Sequence, residues 1–139
     1  MTRGRSIARK CAMQALYQWQ LTEQLADELL AQYVGSEDLT GADVEFFSEL
    51  VRECTSRREA LDAVIAEHAD RPIEQLDLVG HAIFLIGVYE LCERLDVPYR
   101  VAINESVELS KRFGATDGHR YINALLDKVG RVRRTAEQS

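Results

Sequence analysis

The chain has 139 residues, 46% of them hydrophobic, which is enough apolar mass for one core and too little for two separate domains. Residues 1–139 are therefore read as a single domain. A formal net charge of −6 excludes a surface that holds phosphates everywhere, so any nucleic acid must follow a local basic strip. The longest uncharged run, Leu78 to Tyr89, falls well short of the roughly 20 apolar residues that cross a bilayer. With no apolar leader near the N-terminus, a cytoplasmic protein with no membrane partner is expected.

From Ser6 to about Leu21, the residues Ala8, Cys11, Ala12, Ala15, Leu16 and Trp19 recur at steps of three and four, which predicts a helix with one apolar stripe. Ser6 is its expected N-cap. Lys10, Met13, Gln14 and Tyr17 gather on the opposite side, and Arg3 extends the row if the helix starts that early. Leu25, Leu29 and Leu30 predict a short second helix, closed by Gly35 and Ser36 before an acidic loop with Glu37 and Asp38. Asp43 caps a third helix whose stripe is Phe46, Phe47, Leu50, Val51 and Cys54. Ser56 is the expected cap of a fourth, with Leu61, Val64, Ile65 and His68 inward, ended by the pair Arg71 and Pro72.

Asp77 opens the most hydrophobic element, Leu78 to Arg94, apolar nearly all round and therefore expected at the centre. After Asp96, Val97 and Pro98, a helix is predicted from about Arg100 to Phe113. Ala102, Ile103, Leu109 and Phe113 face inward on it, while Asn104, Glu105, Glu108, Lys111 and Arg112 face water. Gly114 stops it, and Asp117 is the expected cap of a last helix with the stripe Ile122, Leu125, Leu126 and Val129 and with Tyr121 at its margin. Arg131, Arg133 and Arg134 read as a tail. No run alternates as a half-buried strand does, so an all-α, compact bundle of about seven helices is predicted.

The charge is segregated along this chain. Arg3, Arg5, Arg9 and Lys10 fall within the first ten residues with no acid among them, whereas the stretch from Glu23 to Asp62 carries eleven acids against Arg52, Arg57 and Arg58. Cationic side chains neutralise phosphates, and an exposed ring such as Tyr17 offers a base a surface to stack on. The same residues also fit a solvated basic tail beside a half-covered tyrosine. At the start of the last helix, the N–H groups around Gly118 and His119, with Arg120, could hold an anion, and the Asp117 carboxylate could accept from a base amine or a ribose hydroxyl. If this end lies near the basic strip, the two form one groove for a single strand.

Catalysis and metal binding find little footing. Cys11, Cys54 and Cys92 are odd in number and embedded in apolar helical patterns, and with His68, His81 and His119 they give no ligand spacing. Cys92, His119 and Asp117 have residue types suited to nucleophilic chemistry, but no phosphate loop or nucleophile elbow accompanies them. No catalytic residue, metal or cofactor is expected.

Three blocks in order resemble one family. ARKCAMQALYQWQL from Ala8 to Leu21, VYELCERLDVPYRVAINESVELSKRFGATD from Val88 to Asp117, and GHRYINALLDK from Gly118 to Lys128 are similar to the bacterial NusB transcription antitermination factors. The resemblance implies two helical bundles and binding of single-stranded boxA RNA in ribosomal RNA leaders. It also implies a partner, the small-subunit ribosomal protein NusE, and recruitment of other Nus factors to RNA polymerase. By position it assigns RNA contact to Arg5, Ser6, Arg9, Lys10 and Tyr17, with Arg3 continuing the row, and to Asp117, Gly118, His119, Arg120 and Tyr121. Glu74, Gly80, Glu90 and Tyr99 are carried over as the protein-docking set.

The chain departs from the family at Gly80, commonly an acid, at Leu85, commonly basic, and at Gly118, commonly a serine. These changes bear on individual contacts to partner and RNA. Two rival readings accompany the resemblance. One is the NusB-like N-terminal part of ribosomal RNA cytosine methyltransferases, whose catalytic domain these residues do not supply. The other is a homodimer that covers the basic strip.

Overall fold

A computed structural model describes residues 3–138, and all regular structure within them is helical. Seven α-helices follow one another: α1 (Arg3–Thr22), α2 (Ala26–Tyr33), α3 (Val44–Ser56), α4 (Arg58–His68), α5 (Leu78–Glu93), α6 (Tyr99–Phe113) and α7 (Gly118–Arg133). Short 3₁₀ turns occupy Glu37–Leu39, Ile73–Gln75 and Thr135–Gln138. The all-α expectation therefore holds.

Helix α5 is the axis. It packs against α1, α3, α4, α6 and α7, and every residue from Gly80 to Leu91 is buried, as its continuous apolar circumference requires. The Asp77 carboxylate accepts from the Gly80 N–H at 3.0 Å and caps its start. At Gly87 an added Cβ would come 2.8 Å from Leu126 Cδ1 and 2.9 Å from Ser106 Oγ, so the missing side chain lets α6 and α7 close onto α5. On the other side, α1 sits on α5 and α3 through Ala8, Cys11, Ala12, Ala15 and Leu16, none of which is exposed. Cys54 and Cys11 are buried and Cys92 is partly so, each a small core or near-core side chain whose thiol burial pushes up.

Several local expectations are corrected. Helix α1 begins by Arg3, so Ser6 lies inside the helix and does not cap it. Asp43 does cap α3, accepting from the Phe46 N–H at 3.0 Å, but Ser56 is the last residue of α3 and Arg57 precedes α4 without a side-chain cap bond. Met13 is interior and not on the outer face of α1, because α5 and α6 both come against that flank. Phe113, expected inward, is 37% exposed at the end of α6.

The largest correction concerns Arg134. Far from lying in a solvated tail, it is buried, with Nε donating to Leu91 O at 2.8 Å. Its terminal nitrogens donate to Val97 O, Glu90 O and Arg94 O at 2.9, 3.0 and 2.8 Å. Two of these carbonyls, Glu90 and Leu91, belong to the last turn of α5 and Arg94 directly follows it, so the guanidinium serves as an external C-cap with the charge sign that the helix dipole favours. Glu137 pairs with it from the following 3₁₀ turn. Arg134→Ala is expected to cost about 3 kcal/mol by removing its bonds to Leu91 O and Val97 O, while Glu90 O and Arg94 O keep the backbone N–H groups of Arg94 and Val97. Urea unfolding checks this through a lowered midpoint at unchanged slope, and a loss no larger than that of exposed Arg131→Ala would contradict it.

Candidate nucleic-acid interface

The basic residues of α1 divide into an inner set and an outer set. Helical geometry turns Arg9 toward α5, where it is 2% exposed against a fully buried Glu90. Arg9 Nε donates to Glu90 Oε2 at 2.8 Å and one terminal nitrogen donates to Oε1 at 2.7 Å, a bidentate pair. The other donates to Glu105 Oε1 at 3.1 Å, and the Ser6 hydroxyl donates to the same oxygen at 2.6 Å. Burial raises the Glu90 carboxyl, and the Arg9 guanidinium opposes that shift. Breaking such a pair strands a charge in a low-dielectric interior, which is what makes it a firm tie between α1 and α5.

Arg5 is half-buried, 3.5 Å from Asp96 and 3.9 Å from Asp43. Arg94 continues the chain of charges, forking onto Asp96 at 2.9 and 3.0 Å and reaching Glu49 at 2.7 Å. Tyr89 closes it by donating its hydroxyl to Glu49 at 2.5 Å. The guanidiniums of Arg5, Arg9 and Arg94 each lie 5.1 Å from the centre of the Phe46 ring, so one aromatic of α3 collects three cations.

The expectation that Arg9 stands on an open ridge is thus corrected: its charge is spent on Glu90 and Glu105. Glu90 is likewise no docking residue, since it is the buried end of this pair. Glu105, expected to face water, is turned half inward by Arg9 and Ser6. Gly80 is buried with its N–H held by Asp77, and Leu85 lies fully in the core, so neither position presents a side chain to a partner. Glu74 is exposed and Tyr99 half-buried, with the Tyr99 N–H donating to Glu137 at 3.0 Å.

The outer set is Arg3, Lys10, Gln14 and Tyr17. Tyr17 is 39% exposed, and the half-buried Gln14 and Lys10 sit one and two turns before it along the same face. The far end of the chain comes to meet them. Tyr17, Gln14 and Met13 share a cleft with Val79 of α5 and Phe113 of α6, and Phe113 is followed directly by the loop that carries Asp117. A second, separate cavity of about 280 Å³ borders that loop, lined by Asp117, Gly118, Tyr121, Asp77, Gly80 and Arg71 among others.

Asp117 precedes α7 in the left-handed region, φ 60°, and makes no side-chain cap bond. The expected capping role is corrected, and the exposed carboxylate is turned outward instead of folded back over α7. Gly118, expected to offer an N–H to an anion, already donates it to Ala115 O at 2.9 Å. His119 is half-buried and Arg120 exposed, while the Tyr121 ring is held between the edge of Phe84 and the Arg71 guanidinium, 4.2 Å from its centre. Sequence reasoning missed Phe113 and Val79 because both sit on apolar stripes and look like core.

The family model described as the NusB family matches residues 6–131. The transcription antitermination protein NusB of Marinomonas sp. (strain MWYL1) is 48% identical over 133 residues, covering 94% of this chain and 76% of that protein. The protein of the same description from Nitrosococcus oceani is 45% identical over 137 residues, covering 99% and 92%. Among solved structures, T. maritima NusB superposes with a TM-score of 0.81 at 23% identity over 94% of this chain and 93% of that one, a likeness of fold. A crystal structure of antitermination factors NusB and NusE in complex with dsRNA matches with a TM-score of 0.83 at 25% identity over 95% of this chain and 99% of that chain.

Two outcomes follow from the ionic core. Arg9→Ala is expected to lower unfolding stability by about 3–5 kcal/mol, whereas Arg9→Met combined with Glu90→Leu loses much less because no charge is stranded. Chemical denaturation separates them, and equal losses would refute the assignment. Arg94 holds the Asp96 carboxyl down to about 2. A carboxylate depressed by folding contributes stability above its ordinary pKa near 4, and that contribution disappears as pH falls toward 2. Asp96→Asn should therefore flatten the stability curve in that window, by less than about 1 kcal/mol because the pair is largely solvated.

Proposed function

The chain belongs to the NusB family, and from that premise we propose that it is a non-catalytic transcription antitermination factor. It binds single-stranded boxA RNA of ribosomal RNA leaders together with the ribosomal protein NusE, and it helps bring other Nus factors to RNA polymerase. One observation carries the RNA reading: the exposed Tyr17 ring on α1 shares a cleft with Phe113, more than ninety positions away and followed directly by the loop of Asp117, so a single strand can touch both.

Within this reading, Lys10 and Arg3 neutralise phosphates, with Arg5 in a supporting place behind them. Tyr17 stacks on a base, and Asp117 accepts from base or ribose donors beside Arg120 and His119. Ser6 and Arg9 act at one remove, by fixing the pitch of α1 against α5 and α6. Docking of NusE involves the exposed Glu74 and the surface around Tyr99. The raised Cys92 thiol supports the non-catalytic part, since a thiol held protonated by burial is a poor nucleophile.

The decisive measurement is a titration of labelled single-stranded boxA RNA, a scrambled strand and a boxA duplex, with and without NusE. Preference for the single boxA strand, strengthened by NusE, is expected; equal affinity for all three would refute the reading, and preference for the duplex would move the target to paired RNA. Lys10→Ala should weaken binding and reduce the salt slope by about 1, as loss of one phosphate contact does. Tyr17→Ala should weaken it by about 1–3 kcal/mol with the slope preserved. Equal changes of slope in both variants would contradict the division of labour.

A further inference from the structure

Between α1, the start of α5 and the end of α6 lies a cleft of about 260 Å³, lined by Met13, Gln14, Tyr17, Val79 and Phe113. We propose that this cleft seats one unstacked nucleobase of the bound RNA, with the Tyr17 and Phe113 rings as its aromatic walls and the Gln14 amide reading the base edge. The proposal rests on the RNA-binding reading above and adds to it a specific seat and a residue, Phe113, whose sequence pattern had placed it in the core.

The cleft is below the roughly 300–1,000 Å³ of ordinary small-molecule pockets, a size that suits one planar ring system better than a larger ligand. Its floor is apolar: Met13 is 3% exposed, and Val79 packs at the edge of the core. Phe113 and Tyr17 are 37% and 39% exposed, so each ring keeps a surface that the fold itself does not cover. The two rings belong to helices far apart in sequence, and single-stranded nucleic acid is gripped by such faces because every base has one of its own.

The polar contribution is equally selective. Gln14 is the one lining residue with an amide, a paired donor and acceptor that can match a base edge in a bidentate way. No lining residue carries a carboxylate, although the protein as a whole is acidic. Cations flank the cleft instead. Lys10 lies one turn before Gln14, and the Arg112 guanidinium is 4.9 Å from the Phe113 ring centre. In contrast to Arg5, Arg9 and Arg94, neither Lys10 nor Arg112 is in an ion pair among the described residues. A base placed between the rings would leave its phosphates near those two charges and its next nucleotide pointed at the Asp117 loop.

The test is a set of anisotropy titrations with single-stranded boxA RNA in which each nucleotide is replaced in turn by an abasic site. One position should lose about five- to 150-fold in affinity with the wild-type chain. Phe113→Ala should lose a similar factor on intact RNA, at unchanged salt slope, and should lose little more on that one abasic strand, because the two changes remove the same contact. Phe113→Trp should bind within a few-fold of wild type, Phe113→Leu should behave as the alanine variant does, and Gln14→Ala should flatten discrimination among the four bases at that position. Full binding by Phe113→Leu would show a packing role and overturn the seat, as would losses that add with every abasic position. If wild-type protein binds the intact strand and Phe113→Ala binds it equally, the seat alone fails. If wild type binds no RNA, the function proposed above fails with it.

Discussion

The contact on which the remainder of the molecule depends is the bidentate pair of Arg9 and Glu90, extended by Glu105 and Ser6. Two opposite charges removed from water are tolerable only when held in good geometry, and here each of the three guanidinium nitrogens of Arg9 donates to a carboxylate oxygen. The pair fixes the rotation of α1 about its own axis as well as its distance from α5. Turning the helix by one residue, about 100°, would swing Tyr17 and Lys10 off their shared outer face. The openness of that face is thus a consequence of what is locked beneath it.

This arrangement sorts the cations by task. Arg5, Arg9 and Arg94 meet acids and the Phe46 ring inside or at the edge of the fold, and Arg134 meets carbonyls at the end of α5; these four charges shape the protein. Arg112 and Arg120 are exposed and Lys10 is half-buried on the outer face of α1, where they can meet a polyanion. All four buried or edge cations are arginines, and the chemistry of the group explains that choice. A guanidinium, planar and forked, suits buried bidentate contact, whereas an ammonium is a hydrated point charge better kept at the surface. An acidic protein can in this way present a positive lane without a large basic patch, since the first ten residues carry no acid and eleven acids fall between Glu23 and Asp62.

How much of this was legible in the sequence depended on whether local pattern or tertiary pairing decided the matter. The seven helices, the central place of α5 and the caps at Asp43 and Asp77 follow from periodicity and from residues whose partners lie within one turn. The fate of Arg9 and Arg134 does not, because Glu90 is 81 positions from Arg9 and the carbonyls that Arg134 meets are 37 to 44 positions away. Hydropathy counts both as surface charges. Phe113 failed in the opposite sense: an aromatic on an apolar stripe reads as core, yet at the last position of α6 it is only partly covered. Asp117 was misjudged because a left-handed residue before α7 cannot bend its carboxylate back to the first turn, and backbone handedness is not written in composition.

The Arg9 and Glu90 pair also constrains how the sequence can drift. Either substitution alone passes through an intermediate burdened with an uncompensated charge, so lineages that abandon the pair must change both codons nearly together or first acquire stabilising replacements elsewhere. The two positions are therefore epistatic, and a graft of α1 from one relative onto the body of another will fold only where both ends of that bridge travel with it.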